Sequence, residues 1–172
     1  MDDDKKMFLK MISRFLQYPD EELIPSLEGM RGTLEDLPAS GAKSACLTFL
    51  ARHNHTPLLQ LQEAFTETFD LNPSTCLNLT YHRWGDGKDR SGALIRLKRI
   101  YEEAGLEMAT AELPDYLPLV LEFMAEIPNG DSAWIRKEFG GTVCDLSRRL
   151  QEKGSPFAGL FAFIEEIFRA GE

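Results

Sequence analysis

The chain has 172 residues, enough for one domain with a substantial core, and its 43% apolar content is ordinary for a globular protein. A formal charge of -9, from 28 acidic against 19 basic residues, argues against nucleic acid, whose phosphates need a basic footprint. No run approaches the roughly 20 consecutive apolar residues of a membrane helix, and the acidic start "MDDDKKMFLKMISRFL", with its apolar residues spaced, predicts no secretory signal.

The periodicity is helical nearly everywhere. Phe8, Met11, Ile12 and Phe15 mark a first helix that stops at Pro19. In "YPDEEL", Asp20 reads as the cap of a short second helix with two glutamates in its first turn and Leu23, Leu27 and Met30 on its face. "GMRGTLEDLP" reads as a loop. Ala42, Ala45, Cys46 and Phe49 carry a third helix. Thr56-Pro57 reads as a cap followed by proline at the first helical position, with Leu58, Leu61 and Phe65 beyond. "DLNPST" is a break.

Leu77, Tyr81 and Trp84 share a helical face, and "GDGKDRSG" reads as a turn. Leu94, Leu97, Tyr101 and Ala104 form a stripe that ends at Gly105. Leu117, Val120, Leu121 and Met124 form the next. Ile135, Phe139, Val143, Leu146 and Leu150 lie along a long helix that Gly140-Gly141 can bend, and Ser155-Pro156 opens a last one. No run of alternating apolar and polar residues stands out. The expected fold is all-α, a helical bundle of about nine or ten helices formed by residues 1–172 as one domain.

Catalytic constellations are missing. His53 and His55, two residues apart, diverge on a helix, and His82 stands alone, so none is expected to bind a metal. In "GDGKDRSG" Lys88 is followed by Asp89 and no strand precedes it, which does not fit a phosphate loop. Cys46, Cys76 and Cys144 are far apart, with no C-x-x-C, which suits a reducing compartment. A soluble, acidic, helical domain without a catalytic set most often binds something. Residues with no evident packing role are Arg83, Asp86 and Arg90 in the central turn, and Asp115, Tyr116 and Pro118.

Those places carry a resemblance. "FTETFDL" (65–71), "LNLTYHRWGDGKDRSGALIRLKRIYEEAG" (77–105) and "ELPDYLPLVLEFMA" (112–125) resemble the nitrate reductase delta subunit, the NarJ type of molybdenum-enzyme assembly chaperone within the TorD-like group. "LQYPDEEL" (16–23) is a weaker match. The resemblance implies an all-α, non-catalytic, cytoplasmic chaperone with no cofactor of its own. It implies a partner, the catalytic molybdenum subunit of a membrane-associated or exported oxidoreductase. That subunit would be held through its N-terminal twin-arginine or remnant segment until the molybdenum cofactor is inserted. Tyr116 stands where many of the wider group have histidine. The expected client-peptide contacts are Tyr81, Arg83, Trp84, Asp86 and Arg90 in the central segment, and Asp115, Tyr116, Pro118 and Glu122. The alternatives are a helical enzyme of unfamiliar type and a helical regulatory binding protein.

The prolines of "ELPDYLPLVLEF" have a physical reading. With Asp115 as helix cap, Tyr116, Leu117 and Pro118 take the first three helical positions, where amides have no intrahelical partner and proline costs little. Pro114 stiffens the approach. Asp115 would then face a basic client segment and Tyr116 would offer an aromatic surface.

Overall fold

A computed structural model describes residues 1–53, 55–127 and 132–170, and among them every regular element is helical apart from one isolated antiparallel bridge. Among the described residues, nine α-helices and one short π-helical segment meet the expected count.

The first helix, α1 (Asp3–Phe15), starts where the Asp2 carboxylate accepts from the Lys5 amide at 2.8 Å, with Asp3 and Asp4 at the positive end of the helix dipole. The second, α2 (Leu23–Asp36), corrects the sequence reading twice. It begins after Glu22 with no side-chain cap, and Asp20 instead holds the preceding turn by accepting from the Glu22 amide at 3.1 Å. It also runs on through "GMRGTLED". Gly29 and Gly32 together cost about 2 kcal/mol against alanine, but Leu34 is fully buried and tertiary packing overrides the propensity. Lys43 closes the helix by donating to the Glu35 and Leu37 carbonyls at 3.0 and 2.6 Å.

After α3 (Gly41–His53) comes α4 (Leu58–Phe65), capped at Pro57 rather than Thr56, and it widens into a π-helical turn at Thr66–Asp70. Then follow α5 (Leu79–Trp84), α6 (Lys88–Glu103), α7 (Leu117–Glu126), α8 (Ala133–Glu152) and α9 (Ala158–Arg169). The turn read over "GDGKDRSG" is confined to Gly85–Gly87, since Lys88 already begins α6. Leu77 precedes α5 instead of sharing its face. α8 passes unbroken through Gly140 and Gly141, and α9 starts after Phe157, whose amide donates to Ser155 Oγ at 3.3 Å.

α1 packs along α7, α8 along α9, and α3 against α9, α2 and α1. Phe157 sits among Phe49, Phe65 and Phe69, with ring centroids 5.5, 6.4 and 4.8 Å away. These edge-on and tilted contacts favour one arrangement of rings in the core. The α1–α7 pair is the part of the core that positions the site.

Candidate functional site

Two consecutive stops shape the region. α6 ends in a Schellman turn. Gly105, at φ 76°, sends its amide to the Glu102 carbonyl, and the Leu106 amide reaches the Tyr101 carbonyl, each at 3.0 Å. Only glycine enters that left-handed conformation at little cost. The chain then brings Leu106, Glu107 and Met108 to a cavity shared with Leu119, Glu122 and Phe123 of α7. Pro114 is then fixed by Tyr101, whose hydroxyl donates to the Pro114 carbonyl at 2.7 Å.

Here the expectation for Asp115 is corrected. The cap position of α7 belongs to Tyr116, with Leu117 and Pro118 as the first two helical residues, and no side chain caps it. Asp115 is fully buried and points away from solvent. Its carboxylate accepts from the Thr80 amide at 3.0 Å, the Thr80 hydroxyl at 2.5 Å and the Asn78 amide group at 3.2 Å. It therefore caps the start of α5, a helix remote in sequence. The main chains agree: the Leu79 amide donates to the Asp115 carbonyl at 3.1 Å and the Leu117 amide to the Leu77 carbonyl at 2.8 Å. This antiparallel bridge between Asn78 and Tyr116 staples the approach of α7 to the start of α5.

The central residues gather round this staple. Arg90 donates through Nε to Thr80 Oγ1 at 3.0 Å, pairs with Asp86 at 3.3 Å and lies 5.7 Å from the Tyr81 ring. Its guanidinium is 3.9 Å from Asp115. Arg83 ties α5 to α8 through the Glu138 carboxylate at 2.8 Å and carbonyl at 3.0 Å, and half-buried Trp84 meets Phe139 edge-on. His82 donates through Nε2 to the Cys76 carbonyl at 2.7 Å, and burial lowers its pKa. Arg90, Asp86 and Asp115 thus form one polar group with Thr80, Tyr81 lies against Arg90, and Arg83 and Trp84 tie α5 to α8. Arg90→Ala is expected to cost about 1 kcal/mol, the scale of a hydrogen bond with an exposed ion pair. A chemical melt checks it, and affinity for a client peptide should stay unchanged.

Tyr116, Pro118 and Glu122 fall elsewhere. The Tyr116 hydroxyl donates to the Leu16 carbonyl at 3.1 Å. Burial, with Glu112 and Asp70 nearby, pushes its pKa up, so the phenol stays neutral. Ser13 Oγ lies 2.9 Å from the Pro118 carbonyl and 2.8 Å from Glu122 Oε1, which also accepts from Gln17 Nε2 at 2.9 Å. Ser13 of α1 and Gln17 just beyond it thereby hold the exposed Glu122 carboxylate with neutral donors, and among the described residues no cation pairs with it.

Two cavities open on this face and share Leu119 and Glu122 as a common wall. One, about 240 Å³, lies between Tyr18, Glu112, Tyr116 and Pro118. The other, about 380 Å³, has an apolar floor of Tyr101, Leu106, Met108 and Phe123. Its rim carries Glu107 and Glu126 against Lys10, which is already paired with Glu126 at 2.5 Å. The result is an apolar groove along α7 with an acidic rim. It suits an extended or helical segment that carries apolar and cationic residues. Sequence reasoning named Tyr116, Pro118 and Glu122, which line this groove, but did not name Leu119, Met108, Leu106 and Tyr101, which line it too. One signal was present: Leu119 is an apolar residue lying off the Leu117/Val120/Leu121/Met124 stripe.

Comparison with known proteins adds a relationship. The family described as nitrate reductase delta subunit matches residues 35–162. The nitrate reductase molybdenum cofactor assembly chaperone NarJ of Escherichia coli (strain K12) is 34% identical over 162 residues, 92% of this chain and 68% of that protein. The probable nitrate reductase molybdenum cofactor assembly chaperone NarJ of Bacillus subtilis (strain 168) is 29% identical over 157 residues, 91% of this chain and 85% of that one. The probable chaperone NarW of Escherichia coli (strain K12) is 32% identical over 161 residues, 92% of this chain and 67% of that one.

Proposed function

The chain belongs to the nitrate reductase delta subunit family, and from that premise we propose that it is a non-catalytic assembly chaperone for the molybdenum subunit of a nitrate reductase-like enzyme. It binds that subunit before the molybdenum cofactor is inserted, acts in the cytoplasm as a single helical domain, and leaves the finished enzyme.

The observation that carries the binding mode is the acidic-rimmed apolar groove along α7. Leu106, Met108 and Leu119 offer apolar area, while Glu107, Glu112 and Glu122 offer negative potential on three sides. A client N-terminal segment, twin-arginine or its remnant, has the complementary character: positive charge beside apolar residues. Rim charges steer encounter and select sign, while the apolar floor supplies most of the affinity. Tyr116, Pro118 and Glu122 serve as the client contacts. Tyr81, Arg83, Trp84, Asp86, Arg90 and Asp115 support that surface by holding α5, α6 and the start of α7.

The test is to produce the molybdenum subunit with and without this chain. Molybdenum content of the purified subunit should fall sharply when the chain is missing, and the subunit lacking cofactor should co-purify with the chain. Full molybdenum content without it would overturn the reading.

A further inference from the structure

On the opposite side of α6 from Tyr101 lies a cavity of about 690 Å³, and it differs in sign from the groove. Gly92, Ile95, Arg96, Arg99 and Glu103 recur at helical spacing, so they form one stripe along α6. Trp134 of α8 forms the far wall. The Arg96 guanidinium lies over the Trp134 ring, 4.2 Å from its centroid. That stacking orders the side chain while leaving its N–H edge for an acceptor. Neither Arg96 nor Arg99 has a carboxylate partner among the described residues, and Glu103, one turn beyond Arg99, does not reach it. Ile95 beside them is 65% exposed. On a chain of net charge -9, this is a basic and apolar surface.

We propose that this stripe is a second docking surface, and that its occupant is an acidic amphipathic segment of a partner protein, with carboxylates on Arg96 and Arg99 and an aliphatic residue against Ile95. Charge complementarity selects the occupant: the stacked Arg96 guanidinium and that of Arg99, three residues on, match carboxylates one helical turn apart. Arginine and tryptophan beside an exposed aliphatic residue are also the composition of interface hot spots. A free phosphate would use the guanidiniums but gain nothing from Ile95. The surface does not depend on the groove, so either can fail alone.

The experiment follows the Trp134 indole N–H resonance of the full chain by NMR. Three probes are titrated: a short helical peptide with glutamates one turn apart flanking leucine, its glutamine counterpart, and inorganic phosphate. The acidic peptide should shift the Trp134 signal and leave Trp84 unmoved. Arg96→Gln with Arg99→Gln should weaken that binding about tenfold or more, the scale of losing one charge-assisted contact. Arg99→Lys should retain most of it, and Ile95→Ser should weaken it without changing the fold. A Trp134 signal unmoved by millimolar acidic peptide overturns the proposal. So does equal binding of the glutamine peptide. Phosphate that shifts the signal as far as the peptide does, with Ile95→Ser silent, also overturns it and makes the stripe a small-anion site.

Discussion

Replacing Asp115 by alanine should destabilise the fold by about 3 kcal/mol, because it strands a buried amide, a hydroxyl and a side-chain amide at once. All three donors, from Thr80 and Asn78, point at a carboxylate with no solvent exposure. For a chain of this size the melting temperature should drop by about 6–12 °C. Asparagine should be milder, at about 1–2 kcal/mol. Its carbonyl can still take both bonds from Thr80, and the Asn78 amide can turn to present its oxygen to the new amide group. What asparagine loses is the charge that faces Arg90. Urea melts of the two variants check the order. An alanine variant within about 0.5 kcal/mol of wild type, the range of ordinary surface changes, would refute the capping role.

Leu119→Arg should have the largest effect on client binding. Leu119 stands in the wall common to both groove cavities, half-buried on the outer face of α7. Arginine there removes apolar floor and places a cation where the client's own cation would lie. A hot-spot loss of about 2 kcal/mol or more corresponds to at least about 30-fold in affinity. Calorimetry with the client's N-terminal peptide measures it, and the thermal melt should barely move. The two variants separate the roles: Asp115 acts on stability first, Leu119 on binding first. Undiminished affinity in Leu119→Arg would place the peptide outside the groove.

Apolar periodicity made most of the fold legible. Phe8, Met11, Ile12 and Phe15 all lie in the core, as do Leu117, Val120, Leu121 and Met124. Reading failed where a residue's partner is distant. Gly29 and Gly32 look like helix breakers until the burial of Leu34 is known. Asp115 looks like the cap of the helix it precedes, because local sequence cannot reveal Thr80 as its partner. Half of the site was legible for the same reason. Tyr116, Pro118 and Glu122 sit in one proline-framed motif, whereas Met108, Leu106 and Tyr101 join them only through the chain reversal at Gly105.

The Asp115 staple also bears on the order in which the molecule assembles. α5 has only six residues, too few to persist alone, because helix nucleation costs more than so short a run returns. Its cap arrives from 35 residues downstream of Thr80. Closing that loop must come before, or together with, the winding of α5. The helix and the segment leading into α7 therefore behave as one cooperative unit. Amide protons of Tyr81 to Trp84 should exchange at the same rate as those of Tyr116 and Leu117, opening and closing together though the two stretches lie far apart along the chain.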